Sequence, residues 1–123
     1  MCKAVLVMTM RTHKEYPCGF FIQKGKLKKK YQNATEHNIQ FIPIKDTHAT
    51  WTIVPYIEAV FDEEVVNSIP QEKCKQAFNN MWCAAHRIWN RYNGDFDGDE
   101  ATKLKAQIRE ELLIELELLT TQN

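Results

Sequence analysis

Between residues 74 and 92 the side chains Cys74, Phe78, Met81, Trp82, Ala85, Ile88, Trp89 and Tyr92 recur at spacings of three and four. That period matches a helical turn, so it predicts one amphipathic helix and rules out a strand, whose faces alternate every two residues. Ser68-Ile69-Pro70-Gln71 just before it reads as a capping box with proline in the first turn. Lys73, Lys75, Asn79, His86, Arg87, Asn90 and Arg91 fill the polar face, and Asn93-Gly94 reads as the stop. A last helix is expected from about Glu100 to Leu119, with Ala101, Leu104, Ile108, Leu112 and Leu116 as its stripe. Towards its end Leu113, Ile114, Leu118 and Leu119 spread apolar surface around most of the helix. Such a helix is expected to be covered on more than one side.

The first half reads differently. "AVLVMTM" is a short run rich in Val, Leu and Met, and "NIQFIPI" and "ATWTIVPYI" carry β-branched and aromatic residues. "CGFFIQKGKLKKKYQ" has the form of a hairpin: Phe20 to Ile22 rise to a turn at Lys24-Gly25-Lys26, and Leu27 to Tyr31 return. Pro43 suggests an edge or a strand end. "PYIEAVFDEEVVNSI" admits two readings: one helix opened by Pro55, or a strand end followed by a short helix capped by Asp62. Strands followed by helices predict an α+β fold. The expectation is an antiparallel sheet of four to five strands over residues 3–54, packed by two to three C-terminal helices. A chain of 123 residues is expected to form a single domain, residues 1–123, around one modest core.

Apolar residues make up 44% of the chain and charged residues 26%, a globular composition. No apolar run approaches the roughly 20 residues that cross a bilayer. The start, "MCKAVLVMTMRTHK", reads as a strand and not as a signal peptide, so a cytoplasmic protein without a membrane role is expected. The four cysteines lack C-x-x-C spacing and are expected as free thiols. Net charge is zero, yet residues 1–50 hold nine Lys/Arg against three Asp/Glu, and residues 51–123 hold seven against thirteen. A basic strand-rich part, residues 1–54, is thus followed by an acidic helical part, residues 55–123, an asymmetry that points to charged partners.

Three segments are candidate sites. In "YNGDFDGDE", residues 92–100, Asp95, Asp97 and Asp99 stand on alternate positions between glycines. The segment resembles the catalytic loop of multi-subunit RNA polymerases, Asn-Ala-Asp-Phe-Asp-Gly-Asp, with Gly94 in place of alanine. The resemblance implies metal ligation by these three aspartates. It is confined to nine residues and does not extend to membership of that family. Read as an EF-hand loop beginning at Asn93, the segment places Asp95, Asp97 and Asp99 at ligand positions but Leu104 where a closing carboxylate belongs, so at most weak Mg²⁺ or Ca²⁺ binding is expected. Acidic residues also serve as a plain cap for the following helix.

The second candidate is the lysine-rich hairpin, Lys24, Lys26, Lys28, Lys29 and Lys30 with Tyr31 beside them, which suits a phosphate backbone with stacked bases or an acidic protein. The same lysines also suit protection of a sheet edge. The third is the end of the last helix, where Leu112, Leu113, Leu116 and Leu119 are candidates for a partner contact or a homodimer.

No glycine-rich phosphate loop, nucleophile elbow or zinc spacing is present, and His48-Ala49-Thr50 is a single copy of a motif that works in pairs. These patterns favour a small intracellular binding or regulatory protein, without a catalytic residue set or cofactor, acting by protein–protein contact. The type suits a phage or mobile-element inhibitor of a host macromolecule. The alternatives are a nucleic-acid-binding module using the hairpin, and a metal-dependent enzyme or metal-binding protein using the acidic loop.

Overall fold

The computed structural model describes residues 3–10, 18–23, 36–43, 53–91 and 99–120, and the structural statements below concern these. The fold is α+β. Strands β1 (Lys3–Thr9), β2 (Gly19–Gln23), β3 (Asn38–Pro43) and β4 (Ile53–Asp62) are followed by helices α1 (Glu63–Ser68), α2 (Gln71–Arg91) and α3 (Asp99–Thr120). The sheet order is β2-β1-β4-β3 and every neighbouring pair is antiparallel. The central pair, β1 and β4, is in register from Lys3 opposite Asp62 to Thr9 opposite Tyr56.

The run "AVLVMT" explains the centre. Ala4 to Thr9 are all buried, so β1 is covered on both faces. Leu6 and Met8 belong to the main core, together with Ile57 and Ala59 of β4 and Ile39 of β3. Val5 and Val7 form a second cluster with Val60, joined by Tyr56. A strand buried on both faces needs a continuous apolar run and not an alternating one, as β1 has.

The helices cover the main-core face. From α2 come Cys74, Ala77, Met81, Ala85, Ile88 and Trp89, and from α3 Leu104, Ile108, Leu112, Leu116 and Leu119. The two helices pack against each other, and α2 also meets β2, where the Phe20 and Phe78 rings lie 6.4 Å apart. On the other flank Arg109 of α3 donates to the Ile39 carbonyl at 3.0 Å, and its guanidinium lies 5.6 Å from the centre of the Phe41 ring. So α2 sits beside the β2 edge and α3 beside the β3 edge.

Two expectations are corrected. The sheet does not end at residue 54: β4 runs through Pro55 to Asp62, and only the short α1 follows, with Asp62 at its N-cap position but its carboxylate paired with Lys3 and making no capping hydrogen bond. Of the two readings of this stretch, the helix opened by Pro55 falls. Pro55 is tolerated because the β1 register stops at Tyr56, so at the proline β4 pairs only with Phe41 of β3. The acidic part therefore contributes Glu58 and Asp62 to the central strand, and the charge boundary is not an architectural one. The second correction concerns Ser68. Its hydroxyl donates to the Val65 carbonyl at 2.7 Å and closes α1, while the Pro70 carbonyl accepts from Lys73 and Cys74 and opens α2. Because α2 begins at Gln71, its N-cap position is Pro70, two residues beyond Ser68.

Truncation should separate core from surface on α3. Leu112 is fully buried and Leu113 is 41% exposed. Leu112→Ala is expected to cost about 2–5 kcal/mol in a urea titration followed by circular dichroism, because it leaves a cavity. Leu113→Ala should cost less than about 1 kcal/mol.

Candidate functional site

Of the four large hydrophobic residues exposed among the described residues, Ile22 lies on β2 and the other three on α3. One stripe of the helix, Leu104, Ile108, Leu112, Leu116 and Leu119, is spent in the chain's own core. The large aliphatic residues outside that stripe, Leu113, Ile114 and Leu118, are 41%, 46% and 55% exposed. Ala106, Arg109, Glu110, Leu113, Ile114 and Glu117 line a shallow depression on this surface. Leu118 borders a neighbouring groove between the helices with Lys73, Gln76, Asn80 and Glu115. There the Asn80 amide donates to Glu115 Oε2 at 3.3 Å and ties the two helices together.

Of the four leucines expected to meet a partner, Leu112, Leu116 and Leu119 thus face inward and Leu113 alone is exposed. Ile114 and Leu118 were not singled out as contact residues. The signal was present for Ile114, which at 100° per residue falls away from Leu104, Ile108 and Leu112, whereas Leu118 falls on the flank of that stripe, about 40° from Leu104.

A second feature runs along α2. Phe78, Trp82 and His86 are one helical turn apart and only half-buried. Their rings follow one another at 6.3 Å and 6.5 Å, with Trp82 and His86 stacked at 22°. The row continues onto β2 through Phe20, and Cys18, Gln71, Lys75 and Asn79 border the groove at that end. Cys18, Cys74 and Cys83 are free thiols, and burial pushes the Cys74 thiol up from its ordinary range.

The charge asymmetry resolves onto the two helices. α2 carries Lys73, Lys75, Arg87 and Arg91 against Glu72 alone, whereas α3 carries six acidic residues against Lys103, Lys105 and Arg109. The helical layer therefore has a basic and an acidic member side by side, a pattern hidden when the chain is simply halved.

The sheet face away from the helices is partly polar. Glu58 is buried and accepts from the Asn38 amide at 2.9 Å, and Thr9 is buried nearby on β1. Lys3 and Asp62 pair at 2.8 Å at the end of the central ladder. Just before β3, His37 Nδ1 accepts the Val60 backbone N–H at 3.1 Å, and the ring meets Phe61 edge-on at 4.9 Å.

Lys24, Lys26, Lys28, Lys29, Lys30 and Tyr31 lie outside the described residues, as do Asp95, Asp97 and His48. Asp99 is the first residue of α3 and is exposed. Among the described residues no group of three or more His, Cys, Asp or Glu is placed to hold a metal ion, and no helix is long and apolar enough to cross a membrane. Compared with known proteins, the chain matches no protein-family model, no curated protein and no solved structure.

The His37 contact has a pH signature. Nδ1 accepts the hydrogen bond of the Val60 N–H only while it carries no proton itself, and burial lowers the pKa from the ordinary 6.5. The unfolded chain therefore takes up a proton at a higher pH than the folded chain. Stability from this contact is present above pH 6.5 and is lost as pH falls from there through the lower folded value. In His37→Asn the side-chain oxygen stands near the Nδ1 position and does not titrate. Urea midpoints measured between pH 7.5 and 5, about the span in which histidine titrates, should fall more steeply for the wild type than for this variant.

Proposed function

We propose that this chain is a small intracellular, cytoplasmic binding protein that acts by protein–protein contact through the outer face of α3. The reading is supported by one observation above others: Leu113, Ile114 and Leu118 are large aliphatic residues left 41–55% exposed on a helix whose buried stripe already completes the core. Leu113 and Ile114 share one depression and Leu118 lies at its margin on the α2 side, and exposed aliphatic side chains rimmed by charge mark contact surfaces. Arg109, Glu110 and Glu117 supply that rim. Because each aliphatic residue is already about half covered, a partner that buries the rest would contribute about 1 kcal/mol per residue. The occupant is a partner protein or a second copy of the chain. Regulation or inhibition of a host macromolecule by a phage or mobile-element product is the biological setting we attach to this reading.

Leu113→Glu with Leu118→Glu tests it. Tagged wild type and double variant are used as baits in lysate of the source cells, after nuclease treatment. Loss of a specific companion band from the variant, with its melting curve unchanged, is the expected result. The same companion on both baits would remove the α3 face from the proposal.

A nucleic-acid reading is favoured by α2, where Lys75, Arg87 and Arg91 are exposed and Trp82 and His86 are half-buried alongside. Basic residues beside aromatic rings hold a backbone while bases stack. If this surface binds single strands, the affinity for labelled single-stranded DNA or RNA will fall steeply between about 50 and 200 mM salt. Lys75→Glu with Arg87→Glu should then reduce it by at least about tenfold. An affinity indifferent to salt and to these changes would end the reading.

A further inference from the structure

We propose that the outer face of α3 binds a second copy of the same chain, with the two α3 helices antiparallel across a twofold axis. The inference rests on the contact reading above and names its partner. What carries it is the order of charges and sizes along the exposed side of the helix. Lys103, Ala106, Glu110, Leu113 and Glu117 are all exposed and recur at alternating spacings of three and four, so they lie in one row down that side. Arg109 flanks the row, and its guanidinium sits beside Phe41 at the β3 edge, in reach of the same surface.

The row is closer to self-complementary in one direction than in the other. Two such helices set antiparallel about the point between residues 109 and 110 bring the two Glu110 side chains together at the axis, with an Arg109 of each copy flanking them. Ala106 then falls opposite Leu113, small against large, and Lys103 comes within one residue of Glu117. Each of these last two pairings occurs twice by the symmetry of a twofold contact, in which one patch serves both copies. Turned parallel, the same row sets Lys103 against Lys103, Glu110 against Glu110 and Glu117 against Glu117. From Glu110 to Thr120 the helix has four glutamates and no basic residue, so a parallel pair meets like charge along its whole second half.

The row spans about 21 Å, from the helical rise of about 1.5 Å per residue. A single helix pair of that length covers less than the area of a standard stable interface, so a dissociation constant on the order of tens of micromolar is expected. Ile114 adds to the apolar centre, with Leu118 at its margin on the α2 side.

Sedimentation equilibrium of the full chain from about 5 to 500 micromolar, a range bracketing a weak interface, tests the proposal. The wild type should pass from monomer to dimer, and Leu113→Glu should stay monomeric with an unchanged melting temperature. Lys103→Glu and Glu117→Lys should each weaken the dimer by about threefold to tenfold, and the two together should restore it, because the reversed pair is again opposite in charge. A wild-type monomer at every concentration would overturn the proposal. So would a dimer that survives Leu113→Glu, or a double reversal that fails to restore what the single changes lose. A monomeric wild type that still loses its companion protein on Leu113→Glu and Leu118→Glu would sink the second copy and leave the contact reading standing. A monomer whose companions ignore both changes would sink the two together.

Discussion

Burial of β1 on both faces is the constraint on which the rest of the fold depends. Six consecutive residues, Ala4 to Thr9, are out of solvent. The strand accordingly lies in the interior of the sheet, between β2 and β4, with no edge of its own. Its antiparallel pairing with β4 is set by side-chain alternation: a slip of one residue would carry Leu6 and Met8 off the helix-covered face and put Val5 and Val7 in their place. Lys3 and Asp62, paired at 2.8 Å, close the end of that register, but both are partly exposed and the ion pair adds little beside the apolar ladder. Once β1 and β4 are fixed, β2 and β3 have only the two edges to occupy, and each edge is then faced by one long helix.

The helical layer is held to the sheet by shape and by a few directional contacts. Small residues on α2, Ala77, Ala84 and Ala85, are buried and allow the helix to approach its neighbours closely. Arg109 joins α3 to β3 through the Ile39 carbonyl and the Phe41 ring, which gives a long charged side chain a fixed position at the rim. The same side chain borders the exposed depression on α3. Arg109 therefore links the packing of the helix on its sheet to the geometry of the surface that it offers outward.

Much of this was legible in the residues. The period of three and four over residues 74–89 reads as a helix, and the short Val-rich run "AVLVMTM" reads as a strand, although its burial on both faces is not written in it. The Pro55 region was ambiguous for a physical reason. Proline suits a helix start and a strand end about equally, and only the register of β1 shows that β4 has a single neighbour at that point. Ser68 misled because a hydroxyl can bond forwards as a cap or backwards to a carbonyl, and the local sequence is the same for both. At the candidate site, the apolar excess on the last helix was visible, and the stripe through Leu104, Ile108, Leu112 and Leu116 already pointed inward, but the fate of the leucines on its flanks was not visible. Which leucines are consumed by the core depends on which face of α3 meets the sheet, and that is a tertiary fact. Leu112, Leu116 and Leu119 went inward with Leu104 and Ile108, which left Leu113, Ile114 and Leu118 outside. His37 carried no sequence signal at all, because its role arises from a backbone N–H of β4 that is 23 residues away.

Ile114 shows most clearly that folding alone does not account for the outer side of α3. It is 46% exposed, so it contributes little to the core, and its β-branch restricts rotamers against the preceding helical turn. Glu, Lys, Gln or Ala would serve the helix better at that position and would be better solvated. Leu113 and Leu118 are good helix formers, but they too leave apolar surface in water that a polar helix former would not. The first turn of this helix, Asp99 and Glu100, suits the positive end of its dipole. The last turn holds Glu117 and no basic residue, which the negative end disfavours. A helix that departs from its electrostatic preference at its C-terminal end, and exposes aliphatic residues just before it, is better explained by what it meets than by how it folds.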